Sequence, residues 1–427
     1  MSNTPTTPGK YTIRELLVSS RSGAVIDVTK FVASLVIYES IFEKTMSGRI
    51  GLIETLNLKR HFGFNGDENI KINFETEGFT DDAGVVVGLQ SYKNSEVSAL
   101  NDTTSVYSIF LESPITYRNK KNRVTESFDG NGGDIVDIIF TRYLASDESK
   151  ETLWLGTKVF NNIKFISPSW KPLDAIDWVS KRCMNAPPTI APSYLFFQNS
   201  DGYHFTNMAD LVSQESVATY TYFQGGSKNL DLTKRFYSIE DITIGASHDR
   251  LKQMETGMFG STLLTHDITY KKLEQKAYNY ASRFADETHI EKKKLVADVN
   301  EDFTGYSYKR MYAPKSSFKY NNLTDSDLYE GWILQRQSIM NQFGSNKLTI
   351  KVPGNSMLRA GQVINVDIPA LEPKKNKEWK DPYLSGKYLI ASLKHEIIIN
   401  EQGKYETTLE LIRDSLPESI PDIKEYE

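Results

Sequence analysis

Cysteine occurs once, at Cys183, so no disulfide can form within the chain, and assembly in a reducing cytoplasm is the expected setting. Cys183 sits in a helical-looking run that starts at Trp178, where a buried structural thiol is the expected role. Long apolar runs are also missing. No window approaches the roughly 18 residues needed to cross a bilayer. Residues 1–10 are rich in Thr, Pro and Ser and lack the apolar centre of a secretion signal, so neither secretion nor membrane insertion is expected. Histidine is scarce. His61, His204, His248, His266, His289 and His395 are all there is, no two lie at metal-ligand spacing, and no HExxH is present. The expected metal set is therefore none. A dominant charge sign is lacking too. Fifty Lys and Arg face 55 Asp and Glu, a net charge of −5, which argues against nucleic acid contact over the whole surface and leaves a local basic patch open.

What is present reads as an ordinary globular protein. Its 427 residues are 39% hydrophobic and 25% charged, and the length suggests about three domains. The 23 tyrosines suit β-structure and interface surfaces. The clearest pattern lies at residues 347–413, which read as four strands. Leu348, Ile350 and Val352 alternate with polar residues, as do Ile364, Val366 and Ile368. Residues 387–399 and 405–413 follow as a hairpin closed by Gly403, a position where a positive φ is expected. Four strands leave edges and half a core uncovered, so another part of the chain, or another copy, must complete a barrel or sandwich.

Six or seven further strands are expected over residues 11–111, economically a small antiparallel barrel, with Leu35, Ile37, Glu39 and Ile41 on one face and Val36 and Tyr38 on the other. Pro114 marks a boundary. Residues 134–144 carry Ile135, Ile138, Ile139 and Leu144 at helical spacing, with Asp134 as the expected N-cap. A second helix opens near Ser169 or Trp170 with Pro172 in its first turn, and Ile176, Val179 and Cys183 share a face. Residues 194–198 and 203–205 form a hairpin. Residues 271–285 show Leu273, Ala277, Tyr280, Ala281 and Phe284 at helical spacing and are read as a helix, followed by a polar, irregular stretch. The expected domains are 1–115, a tube-like β-barrel; 116–222, α+β; 223–270 with 332–413, a second barrel; 271–331, an inserted helical and irregular domain; and 414–427, an extended tail.

Signals for chemistry are weak. His266-Asp267 resembles part of a triad, but no GxSxG accompanies it, and a hydrogen-bonded strand histidine is the expected reading. The run Asp129-Gly-Asn-Gly-Gly-Asp134 lacks the Lys-Ser/Thr of a phosphate loop and reads as a capped loop before a helix. Arg118, Lys120, Lys121 and Arg123 form a basic cluster, expected to be a solvated face. The expected catalytic, cofactor-binding and metal residues are accordingly none, and the expected cofactors none. The abundant carboxylates leave a glycosidase-like pair open.

Three stretches carry a resemblance. The first is Gly23-Ala-Val-Ile-Asp-Val-Thr-Lys-Phe31 with Tyr38-Glu-Ser-Ile-Phe-Glu-Lys-Thr-Met-Ser-Gly48. The second is Trp170 and Pro172 with Phe196, Phe197, Gly202, Phe205, Met208 and Leu211. The third is Leu358-Arg-Ala-Gly361-Gln-Val-Ile364 with Leu384-Ser-Gly386-Lys-Tyr388, His395 and Gly403-Lys-Tyr405-Glu-Thr407. In this order they resemble the baseplate central hub proteins of contractile-tail, T4-like phages and the related hub part of type VI secretion spike proteins. The resemblance implies a mainly β fold with two tube-protein-like barrels and a middle α+β domain. It implies a homotrimeric ring that adapts a threefold spike to a sixfold tail tube and leaves a channel for DNA in transit. Implied partners are a central spike protein, tube-initiating baseplate proteins and the tape measure protein, with no membrane. The implied place is the virion tail baseplate, assembled in host cytoplasm, and the implied role is structural, not enzymatic. Fourteen residues follow Arg413, too few for a spike, so the spike is expected to be a separate chain and the C-terminal tail is a candidate contact for it. The alternatives are a tail-associated peptidoglycan hydrolase and a cell-wall binding module.

Overall fold

The computed structural model describes residues 7–55, 58, 62, 64–78, 84–95, 98–99, 104–146, 151–186, 191–226, 230–245, 249–268, 270–295, 307–315, 329–370, 380–399 and 403–419. His61 and His248 lie outside them.

The N-terminal part holds β1 (Tyr11–Ser19), β2 (Val25–Asp27), β3 (Val32–Ser40), β4 (Ser47–Glu54), β5 (Asn69–Thr76), β6 (Val85–Asn94), β7 (Ser98–Ala99) and β8 (Ser105–Glu112). Alternation in these strands drives one set of side chains inward. Leu16, Val18, Leu35, Ile37, Ile50, Leu52, Ile70, Ile72, Phe74, Leu89, Ile109 and Leu111 form one buried core.

The middle part begins with α1 (Pro114–Lys121), whose Pro occupies the first turn, where no N–H is needed. There follow β9 (Ser127–Asn131), α2 (Gly132–Tyr143), β10 (Leu153–Leu155), β11 (Asn162–Ile166), α3 (Pro172–Ser180), β12 (Tyr194–Asn199), β13 (Gly202–Asn207) and α4 (Met208–Val212). Its core gathers Ile135, Ile139, Phe140, Ile176, Val179, Cys183, Tyr194, Phe196, Tyr203 and Phe205. The cap of α2 is Asn131, whose side chain accepts from Gly133 N, and not Asp134. A Cβ at Gly132 would come within 2.5 Å of Cys183 Sγ, so the glycines let this helix approach the thiol closely.

The third part contains β14 (Ser216–Tyr222), α5 (Leu232–Phe236), β15 (Ser238–Ile239), β16 (Asp241–Ile244), α6 (Arg250–Glu255), β17 (Gly260–Asp267), β18 (Lys272–Asn279), α7 (Tyr280–Arg283), β19 (Lys309–Pro314), α8 (Ile333–Phe343), β20 (Asn346–Pro353), β21 (Val363–Asp367), β22 (Gly386–Ile398) and β23 (Lys404–Arg413). Val352, Leu358, Val363, Ile364, Val366, Leu389, Ile390, Leu393, Leu409 and Leu411 anchor its core. Gly361 and Gly403 take φ of +93° and +49°, which turns the chain at both sites.

Several boundaries differ from the expectation. Strand β14, placed by sequence in the α+β part, pairs in parallel with β21. The stretch 271–285 is strand β18 before a short turn of helix. Lys272, Glu274, Lys276 and the aromatic Tyr278 take the extended state because β18 pairs along its whole length with β17. Strand β17 does not join the large sheet. It is the centre of a separate three-stranded sheet with β18 antiparallel and β19 parallel. Residues 333–343, expected to resume the barrel, form α8. The tail departs too: Asp414, Ser415 and Leu416 are buried, and Leu416 bridges to Lys293. Residues 420–427 lie outside the described residues.

Among the described residues fifteen strands make one sheet, because β22 pairs antiparallel with β3 across seven residue positions, from Ser392↔Ser40 to Ile398↔Ser34. The N-terminal and C-terminal strand sets are thereby one surface with two cores. Ile397 and Tyr405, from β22 and β23, even belong to the N-terminal core.

Candidate functional site

The β3–β22 join places alternate residues of seven strands on the face opposite the cores. Register brings Glu112, Ser47, Tyr38, Lys394, Thr408, Lys351 and Asp241 into one row across β8, β4, β3, β22, β23, β20 and β16. At the usual strand spacing of about 4.8 Å the row spans about 29 Å. The next row holds Ser40, Ser392, Glu410, Thr349 and Thr243. Most of these side chains are half-buried, and Tyr38, Asp241, Thr243 and Glu410 are exposed. A cleft of about 400 Å³ opens on this face, between Tyr38, Glu43, Lys394 and Glu410.

Charges on the face are mixed and locally compensated. Lys394 Nζ lies 2.7 Å from Glu396, and Lys351 Nζ lies 2.5 Å from Glu406, which also pairs with Lys404. The Glu406 carboxyl is buried, and burial alone would raise its pKa, but Lys351 and Lys404 hold it below the ordinary range. A broad sheet face with polar, sign-balanced side chains neither collapses onto another layer nor holds one sign of charge firmly.

Beneath it a buried polar knot ties the three parts together. Glu39 on β3 accepts from Ser200 N at 2.9 Å, from Ser200 Oγ, and from Ala360 N at 3.0 Å. Arg359 donates through Nε to Asp201 at 2.8 Å, through Nη1 to the Ser356 carbonyl at 2.6 Å, and through Nη2 to the Gly84 carbonyl at 3.3 Å. Burial raises the Glu39 pKa, and Arg359 and the hydrogen bonds only partly offset it. This knot was not legible in the sequence: its members lie up to 321 positions apart.

The residues singled out from sequence are scattered. Cys183 is buried with its Sγ 3.3 Å from the Val179 carbonyl, and burial pushes its thiol pKa well up, so it is an inert core group. His266 is exposed on β17, and Asp267 instead accepts from Tyr270 N at 3.0 Å. Of the basic cluster, Arg118 forms a two-pronged pair with Glu151 at 2.6 and 2.7 Å, and Arg123 donates to local carbonyls. Among the described residues no group of three His, Cys, Asp or Glu side chains has the geometry to hold a metal.

Two histidines have structural partners that sequence did not reveal. His395 is wholly buried on β22, with Nδ1 2.8 Å from Tyr405 Oη and its ring edge-on to Phe74. Burial, with Arg359 nearby, drives its pKa down to about 3. His289 stacks on Phe284 at 3.8 Å and places Nδ1 2.7 Å from Asp414. Burial alone would lower its pKa, but the Asp414 carboxylate raises it on balance.

No family model matches the sequence, and no curated protein matches it. Solved structures do. The tail protein from Neisseria meningitidis MC58 superposes with a TM-score of 0.56 at 11% identity, covering 96% of this chain and 99% of that one. The 43 kDa tail protein of prophage MuSo2 from Shewanella oneidensis gives 0.56 at 10% identity, covering 95% and 99%. The chain has a tail-protein fold. A chain of the Francisella PdpA-VgrG complex gives 0.50 at 10% identity, covering 99% of this chain and 55% of that one. The tail-protein fold therefore agrees with the resemblance to baseplate hub and type VI spike proteins carried by the sequence.

Proposed function

We propose that this chain is the central hub of a contractile phage baseplate. Three copies form a ring, each subunit presents two barrel-like units side by side, and six units meet a sixfold tail tube while the threefold axis suits a central spike. The observation that carries the reading is the β3–β22 join, which sets two hydrophobic cores under one continuous sheet. The polar face of that sheet lines the channel. Its balanced charges suit passing DNA, since a strongly basic wall would hold phosphates and a strongly acidic one would repel them. The spike, the tube-initiating proteins and the tape measure protein are the partners, the virion tail is the place, and the host cytoplasm is where the ring assembles. The role is structural rather than catalytic, and purified ring is expected to leave peptidoglycan uncut.

Labelling tests the face directly, because buried Cys183 leaves a clean background. A Tyr38→Cys variant, assembled, is expected to react with a small maleimide and to be shielded from a protein-sized one. Equal labelling by both reagents would put this face on the outside and reject the channel assignment.

A further inference from the structure

The middle domain carries a second feature that the hub reading does not use. Its three-stranded sheet sets Trp154, His204 and Phe197 in register on one face, through Trp154↔His204 in the parallel pair and Phe197↔His204 in the antiparallel pair. The opposite face, with Phe196, Tyr203 and Phe205, is the domain core. The His204 ring stacks on Phe197 at 5.1 Å and 17°. Gly361 covers Phe197, while Trp154 at the far end is 54% exposed. A cleft of about 290 Å³ lies here, lined also by Leu155, Asp201, Gln214 and Gln362.

The polar groups around this cleft are partly spent, which defines what remains. His204 Nε2 meets Asn199 Oδ1 at 2.8 Å, so that nitrogen carries the proton and Nδ1 is an acceptor. Burial lowers the His204 pKa and keeps the ring neutral. Gln214 Nε2 donates to the Gly361 carbonyl at 3.1 Å, leaving its Oε1 to accept. Gln362 Oε1 accepts from Arg359 N at 3.0 Å, leaving its NH₂ to donate. Asp201 gives Oδ1 to Arg359 and keeps Oδ2, and its side chain is 54% exposed. Each guanidinium nitrogen of Arg359 already has an acceptor. The cleft thus offers three acceptors, one donor, an aromatic face and no uncommitted cation. Anionic ligands such as phosphates are disfavoured. A ring that shows C–H bonds on one face and hydroxyl donors around its rim fits, at a size near the lower end of small-ligand pockets, about 300 Å³.

We propose that this cleft binds one neutral sugar ring, a hexose or N-acetylhexosamine, stacked on Trp154 with its hydroxyls on His204, Asp201, Gln214 and Gln362. The test is saturation-transfer NMR and calorimetry on the full chain with glucose, galactose, N-acetylglucosamine and N-acetylgalactosamine, each at ~10 mM, where millimolar affinities register. Transfer to the ring protons of at least one sugar is expected. Trp154→Ala should weaken it at least roughly tenfold, and Trp154→Phe, which keeps a stacking face, should weaken it less. Gln214→Ala, at an exposed site, should weaken it by a smaller factor. No transfer from any of the four sugars would overturn the proposal. So would binding that survives Trp154→Ala, or binding of a lysine amide in place of every sugar, which would make the cleft a peptide site.

Discussion

His395 shows how one side chain can couple fold and pH. The unfolded chain takes a proton on this histidine below its ordinary pKa of 6.5, whereas the folded chain resists until about 3. Between those values the unfolded state binds more protons, so stability falls as pH drops through that window. Denaturant melts at pH 7 and pH 4.5 should show the loss, and His395→Gln, neutral at both, should shrink the difference. An unchanged difference in the variant would assign the acid sensitivity elsewhere. His289 has the opposite sign. Its pKa is raised, so the stability of its pair with Asp414 is full below pH 6.5 and fades as pH rises through the raised value. Glu39 is the third residue on which much depends. Glu39→Ala leaves the Ser200 and Ala360 N–H groups without their acceptor and Arg359 with Asp201 as its remaining carboxylate, at a cost of about 2–4 kcal/mol. Chemical denaturation measures it, and a loss below about 0.5 kcal/mol, typical of an exposed site, would mean that the knot does not hold the parts together.

At the scale of elements, the end of the chain has a clear role. Removing everything from Asp414 onward strips His289 of its carboxylate partner, Ile290 N of an acceptor at 3.2 Å, and Lys293 of its bridge to Leu416. Such a deletion should lower the melting temperature, and a deletion beginning after residue 419 should lower it much less. Equal effects would show that the buried residues 414–416 are not the anchor. The strands were legible where alternation was strong. Residues 69–76 were read with the bounds of β5, and Leu348, Ile350 and Val352 were read on the buried face they occupy. Strand β18 was not legible, because Leu273, Ala277, Tyr280 and Phe284 happen to fall at helical spacing while pairing with β17 decides the outcome. Strand β14 was assigned to the wrong part because its partner β21 lies more than 140 positions away, a distance over which local pattern is silent. The polar face was half legible. The alternation of several of its strands, such as residues 347–352, could be read, but their seven-strand row exists only through the pairings. The sugar-sized cleft was not legible at all, since Trp154 and Gln362 come from different parts of the chain.

At the scale of the whole molecule, the account rests on assembly. One chain joins two cores along β3–β22, and a strand set that lies side by side in one sheet is suited to repeat around an axis. The measurement that tests this most directly is the native mass of the purified chain by light scattering, with negative-stain images of the same peak. The account predicts a mass three times that of the 48.5 kDa chain, seen as a ring with a central channel. A single 48.5 kDa species that stays monomeric when co-expressed with a spike protein would contradict it.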